Sequence, residues 1–148
     1  MNQADEIGRK ADTTLGFNRD ALAAIAGIEE DLSAEEVEAI ASLPHDSALL
    51  VVRRGPNTGA RFLLDTDVAT VGRHPDADIF LDDVTVSRRH AQFLRDDHTF
   101  SVRDLGSLNG TYLGGERIEA DVVLNDADEV QIGKFRLTFY ASRQAGRQ

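Results

Sequence analysis

From Ser47 onward, apolar residues fall in short runs separated by turn-forming residues. Ala48–Val52 (ALLVV) is a continuous apolar run that ends in the turn signal RGPNTG. RFLL (61–64), VATVG (68–72) and DIFL (78–81) are further strand-length segments, bounded by Asp, Pro and Gly. FSVRDL (100–105) sets Phe100 and Val102 against Ser101 and Arg103, and EVQI (129–132) puts Val130 and Ile132 on one face. FRLTFY (135–140) directs Phe135, Leu137 and Phe139 inward and Arg136 and Thr138 outward. Alternation with period two, with turn signals at short intervals, predicts an all-β antiparallel sandwich or barrel. No segment in this stretch carries a helical period of useful length.

The first 46 residues have another pattern. ADTTLGFNRD is polar and has no period, whereas Leu22, Ile25 and Ile28 are spaced by three. Ser33 and Glu36 have the spacing of a capping box ahead of Val37, Ile40 and Leu43, and Pro44 stops the helix. Gly27 and the like-charged EEVE weaken these segments, so the expectation is a marginal, partly disordered helix. Two short amphipathic helices that dock on a partner are the alternative. The division expected is an acidic tail over 1–46, a β domain over 47–142 and a disordered C-terminus over 143–148.

Charge sharpens that division. The formal net charge of the 148-residue chain is -10, and residues 1–46 carry 3 basic against 11 acidic side chains. The rest holds 13 basic against 15 acidic. An acidic first third on a nearly neutral remainder reads as a tail attached to a globular unit. It also argues against a duplex-binding face, so no nucleic-acid partner is expected. Cysteine is absent, which removes disulfides, thiolate metal sites and a cysteine nucleophile. Asp5, Glu6 and Asp12 interrupt the first twenty residues, where a secretory signal would need an apolar run of roughly 7–15. No run approaches the roughly 20 apolar residues of a membrane span. A cytoplasmic protein without a membrane partner is expected.

Three segments at strand ends stand out: Gly72-Arg73, Ser87-Arg88-Arg89-His90 and Gly106-Ser107-Leu108-Asn109-Gly110-Thr111. Taken alone, Ser-Arg-Arg-His reads as a solvated turn, a metal or catalytic group, or an anion receptor. Arg73 and Arg88 have the planar, permanently charged donors that suit a phosphate dianion, and Ser87 adds a hydroxyl. Asn109 offers both a donor and an acceptor to an extended peptide backbone, and Ser107 adds a further hydroxyl nearby. Gly106 and Gly110 permit turn geometry that a Cβ hinders. Arg89 has Asp82 and Asp83 as candidate ion-pair partners. These aspartates, with Asp76 and Asp78, lack the Gly-centred loop and terminal Glu of a calcium site. His45, His74, His90 and His98 show no metal-ligand spacing, and no G-x-S-x-G, P-loop or H-E-x-x-H motif occurs. Neither an enzyme nor a cofactor nor a bound metal is expected.

The three segments, at gaps of about 14 and about 19 residues, resemble the pattern of the forkhead-associated (FHA) domain from about Ser47 to about Ser142. The resemblance implies an eleven-stranded antiparallel β-sandwich of the FHA/SMAD-like type, with loops at one end that bind phosphothreonine peptides. It implies that Arg73, Ser87 and Arg88 contact phosphate and that His90 braces the loop, Gly72 being part of the same pattern. GRHPDADIFLDDVTVSRRHA and GSLNGTY are similar, more narrowly, to the actinobacterial glycogen accumulation regulator or oxoglutarate dehydrogenase inhibitor family. That family carries an acidic tail with a Thr-Thr pair, matched here by Thr13 and Thr14, although its usual Glu-Thr-Thr-Ser becomes Asp12-Thr13-Thr14-Leu15.

The resemblance further implies a metabolic switch. Unphosphorylated, such proteins bind and regulate the 2-oxoglutarate dehydrogenase E1 component, NAD-dependent glutamate dehydrogenase and glutamate synthase. Ser/Thr protein kinases phosphorylate the tail, at Thr14 or Thr13 in this chain, and the tail then occupies the FHA site. Reach permits this: a flexible 33-residue tether from Thr14 to Ser47 spans roughly 30 Å, against a radius of gyration of roughly 13 Å for a 100-residue domain. The alternative is a phosphothreonine-dependent adaptor that acts in trans, with the tail as a spacer.

Overall fold

The computed structural model describes residues 32–144. Helix α1 (Ala34–Ala41) begins as its sequence predicts. The Ser33 hydroxyl accepts the Glu36 N–H at 3.1 Å, and the Glu36 carboxylate accepts the Ser33 N–H at 3.1 Å. These two bonds satisfy donors that a helix start otherwise leaves open. Glu36 and Ile40, one turn apart, are its buried positions. The spacing of Leu22, Ile25 and Ile28 and the threonines Thr13 and Thr14 lie outside the described residues. The chain divides into two units at Ser42/Leu43, and the β domain with all its loops belongs to the second.

Eleven strands form two sheets. They are β1 (Ala48–Arg54), β2 (Arg61–Leu64), β3 (Val68–Gly72), β4 (Ile79–Phe80), β5 (Ala91–Asp96), β6 (Thr99–Asp104), β7 (Thr111–Leu113), β8 (Glu116–Arg117), β9 (Val122–Val123), β10 (Glu129–Ile132) and β11 (Phe135–Ala141). The six-stranded sheet runs β2-β1-β11-β10-β7-β8 and the five-stranded sheet β4-β3-β5-β6-β9. Every paired strand is antiparallel except β3–β4, where Val71 and Gly72 run parallel to Ile79 and Phe80. That pair is two residues long and is clamped from the side: Asp78 accepts the Thr70 N–H at 2.9 Å and the Thr70 hydroxyl at 3.1 Å.

The two sheets are apolar where they face each other. Leu50, Val52, Leu137 and Phe139 of one sheet join Val71, Phe93, Phe100 and Val102 of the other in one buried cluster. Phe100 and Phe139 meet with ring centroids 5.5 Å apart in a tilted arrangement. The continuous apolar run of β1 has its explanation here. Ala48, Leu50 and Val52 enter the inter-sheet core, while Leu49 and Val51 are buried on the opposite side. β11 behaves alike, and Thr138, expected to point outward into solvent, is buried opposite Val51. Tyr140, paired with Leu49, is buried too and receives a hydrogen bond from Arg53 Nη2 at 3.3 Å. A central strand covered on both sides loses the polar alternation that an edge strand keeps.

The two ends of the sandwich carry different loops. The β5–β6 hairpin turns at Asp97-His98, and this end is one β5 length away from Ala91. At the Ala91 end lie the connections 73–78, 81–90 and 105–110. The Phe100–Phe139 contact locks the sheets face to face, so Phe139→Ala should cost about 3–5 kcal/mol. Urea denaturation monitored by circular dichroism measures this directly. A loss below about 1 kcal/mol would mean that the sheets do not depend on this contact.

Candidate functional site

The three connections are knitted to one another by backbone before any side chain reaches solvent. At the end of β3, Gly72 abuts the 87–88 segment so closely that a Cβ would sit 1.9 Å from the Arg88 carbonyl oxygen. Arg73 N–H donates to the Ser87 carbonyl at 3.0 Å, and His90 N–H to the Val71 carbonyl at 2.9 Å. Only glycine permits this approach, which is the physical reason for a glycine ahead of Arg73.

His90 is fully buried and links two loops. Its Nδ1 accepts the Ser87 N–H at 3.0 Å, so Nε2 carries the proton and donates to the Gly110 carbonyl at 2.9 Å. Burial pushes the imidazole pKa below its ordinary value, against weaker opposing effects from the Gly110 carbonyl and Asp104. The ring is therefore neutral, and its tautomer is set by its partners.

Asp104, at the end of β6, organises the third loop. One carboxylate oxygen accepts the Gly106 N–H at 2.9 Å and the Ser107 N–H at 3.1 Å. The other accepts the Ser107 hydroxyl at 2.6 Å and the Thr111 hydroxyl at 2.7 Å. Burial acts to raise this carboxyl's pKa, but the bonds from Ser107, Thr111 and the backbone outweigh it and hold the group below the ordinary carboxylate value. Ser107 is thus buried, its hydroxyl hydrogen given to Asp104 while its oxygen accepts the Gly110 N–H at 2.9 Å. Its hydroxyl shapes the turn and has no hydrogen left for a ligand. Gly106 and Gly110 both have positive φ, at +79° and +84°, and Gly110 also packs against the Arg117 side chain.

Asn109 is exposed, and its amide nitrogen donates to the Thr85 carbonyl at 2.9 Å. The Thr85 N–H and hydroxyl are held by Asp83, and the Thr85 hydroxyl oxygen accepts the Lys134 N–H at 2.9 Å. Hydrogen bonds from the Thr85 hydroxyl and backbone keep the Asp83 carboxyl below its ordinary range, with smaller help from Lys134 and Arg73.

Arg73, Arg88 and Arg89 are exposed, and among the described residues their side chains make no hydrogen bond or ion pair. Arg89 in particular does not pair with Asp82 or Asp83 there. Arg73, His74, Pro75, Phe80, Asp82 and Arg88 line a cavity of about 410 Å³. Ser87, next to Arg88 in the chain, has its hydroxyl oxygen accepting the Leu108 N–H at 3.0 Å, which leaves the hydroxyl hydrogen uncommitted among the described residues. Gly72, Arg73, Ser87, Arg88, His90, Gly106, Asn109 and Gly110 are thereby brought to one end of the sandwich. The sequence alone did not single out Asp104 or Thr85, and it offered Asp83 as a partner for Arg89, whereas Asp83 holds Thr85. The signal for Asp104 was present, since Asp104-Leu-Gly-Ser107 is an Asx-type turn sequence.

This sandwich, with these loops at one end, is an FHA domain: the FHA-domain profile matches residues 69–133. Among solved structures, the FHA domain of CT664 from Chlamydia trachomatis superimposes with a TM-score of 0.60 at 35% identity, over 64% of this chain and 96% of that one. Over 143 residues the chain is 50% identical to the glycogen accumulation regulator GarA of Mycobacterium tuberculosis, covering 97% of this chain and 86% of that protein. It is 55% identical over 129 residues to the oxoglutarate dehydrogenase inhibitor of Corynebacterium jeikeium, covering 86% and 87%. The chain belongs to this family of FHA-domain regulators. Regulator and inhibitor are the relatives' names, and with the FHA fold they support a regulatory role. No helix among the described residues is long and apolar enough to cross a membrane.

Two measurements test the scaffold. Gly72→Ala must push the 87–88 backbone aside and should cost about 1–3 kcal/mol, with amide shifts concentrated at Arg73 and Ser87. For His90, the folded pKa lies below the value of 6.5. Above pH 6.5 the ring is neutral in both states and its bonds contribute fully; as pH falls through 6.5 only the unfolded chain takes up the proton, so stability drops. Urea unfolding at mildly acidic and neutral pH should show this loss in the parent chain and a smaller one in His90→Gln. Equal losses in both chains would exclude His90 as the source.

Proposed function

We propose that this protein is a phosphothreonine-reading regulator whose own tail, once phosphorylated, competes for its FHA site. The observation that carries this reading is that Arg73 and Arg88 line one cavity and Ser87 precedes Arg88 in the same loop, with the side-chain donors of all three uncommitted among the described residues. A phosphothreonine carries about -1.5 to -2 charges and three acceptor oxygens, which two guanidinium groups and a hydroxyl satisfy. Asn109, fixed through Thr85, keeps its side-chain oxygen for the peptide backbone beside the phosphoresidue. FHA domains as a class read phosphorylated segments through arginine clusters. In this reading Ser107, His90, Gly72, Gly106 and Gly110 position the loops.

In its unphosphorylated form the protein binds and regulates central-metabolism enzymes: 2-oxoglutarate dehydrogenase E1, NAD-dependent glutamate dehydrogenase and glutamate synthase. The name of the corynebacterial inhibitor supports the first of these. A Ser/Thr kinase in the cytoplasm adds phosphate to Thr14 or Thr13. Residues 1–46 then act as a tethered ligand for the domain over 47–142, at an effective concentration on the order of mM. A local charge event thereby removes the surface that the enzymes need.

The experiment is phosphorylation of the full chain by a Ser/Thr kinase, followed by NMR and by titration with a phosphothreonine peptide. Tail phosphorylation should shift amides of Arg73, Ser87 and Arg88 and weaken peptide binding. Arg88→Ala should abolish the shift and, in the unphosphorylated chain, weaken peptide binding on the order of 10–100-fold. Undiminished peptide binding by Arg88→Ala would overturn the site. Undiminished binding by the phosphorylated parent chain would overturn self-competition and leave a trans-acting adaptor.

A further inference from the structure

We propose that His45, Asp46 and His98 form a site for a divalent transition-metal ion of the zinc class. It lies at the end of β5 and β6 opposite the phosphate loops. The fold alone creates it, because Asp46 and His98 are 52 positions apart and the histidines have no motif spacing.

The donors already converge. His45 Nε2 lies 3.1 Å from one Asp46 carboxylate oxygen, and His98 Nδ1 lies 2.5 Å from the other. The two imidazole centroids are 5.3 Å apart, and one ligand atom from each of the three residues falls within 4.8 Å of the others. Metal–ligand bonds of about 2.0–2.2 Å place the ligand atoms of a tetrahedral zinc ion about 3.3 Å from one another. Small side-chain rotations therefore suffice to close the set around an ion.

The backbone beneath the donors is braced. Asp46 has φ +65°, an uncommon left-handed conformation for a non-glycine, and with it two consecutive side chains both face His98. Arg95 Nη1 donates to the Asp46 carbonyl at 2.8 Å, and the Ser47 hydroxyl donates to the Pro44 carbonyl at 2.7 Å. A simple ion pair needs one histidine, whereas here both oxygens of one carboxylate face an imidazole. Two imidazoles and a carboxylate select zinc, nickel, copper or ferrous iron over the all-oxygen preference of calcium and magnesium. His98 is 65% exposed and Ser47 and Ser142 border an adjoining cavity of about 310 Å³, so water or a further ligand can complete the coordination. A bound ion would tie the segment entering β1 to the β5–β6 hairpin.

The test is titration of the untagged full chain with zinc chloride by calorimetry, and with cobalt chloride followed in the visible spectrum. One equivalent should bind with micromolar affinity, and the ring resonances of His45 and His98 should shift while those of His90 stay in place. Zinc should also raise the thermal midpoint. His98→Ala should weaken zinc binding by at least about tenfold, and the double variant His45→Ala/His98→Ala should lose it. Because His98 is largely exposed, circular dichroism of these variants should match the parent chain. No heat and no cobalt spectrum in the parent chain, or unchanged zinc binding in the double variant, would overturn the site and leave an Asp46–His98 ion pair.

Discussion

A neutral, buried imidazole holds together the two loops on which the binding end depends. His90 accepts a hydrogen bond from one backbone and donates one to another, so the Ser87 segment and the Gly110 turn have a fixed separation. Its position is set by β3, which receives the His90 N–H while Gly72 admits the neighbouring backbone. Removing the ring would leave the partly buried Ser87 N–H and the buried Gly110 carbonyl without these partners, at a cost of up to about 1–3 kcal/mol each. The arginines point into solvent because this frame is satisfied without them.

The same internal satisfaction of the loops explains how a chain of negative net charge leaves arginine side chains unpaired among the described residues at one end of the sandwich. Asp104 and Asp83 lie beside the loops, yet each commits its charge to nearby hydroxyls and amides. Such bonds lower the carboxyl pKa values and keep these anions inside the turn, where they shape backbone and leave the guanidinium groups unpaired. Charge separation by hydrogen bonding thus matters more than net charge. The acidic majority sits in residues 1–46, and in the proposed switch that excess belongs to the ligand.

How far the fold was legible depended only in part on strand length. β6, β10 and β11 show the alternation, and β2 and β3 follow short apolar segments bounded by turn residues. β8 and β9 have two residues each and β7 has three, too few to carry a period, so only family resemblance implied them, and the six-residue β5 (Ala91–Asp96) was likewise implied by resemblance alone. Thr138 shows the complementary limit, since alternation could place it on a face but could not tell that this face is buried. At the site, Arg73, Ser87, Arg88 and Asn109 were legible as a spaced pattern. The hydroxyl of Ser107 read as a ligand group, and its commitment to Asp104 emerged only from the turn that joins them.

The sequence by itself determined the local elements: which stretches alternate, where helix α1 is capped, where glycine must stand, and which loops carry arginine, serine and asparagine. These depend on properties of neighbouring residues, within a few positions of one another. The tertiary structure alone decided which groups are committed and which are free. It buried Ser107 and Thr138, joined Asn109 to Thr85 across 24 positions, and brought Asp46 to His98 across 52. Hydrogen bonds and ligand geometry act over about 3 Å in space, and separation along the chain does not report that distance.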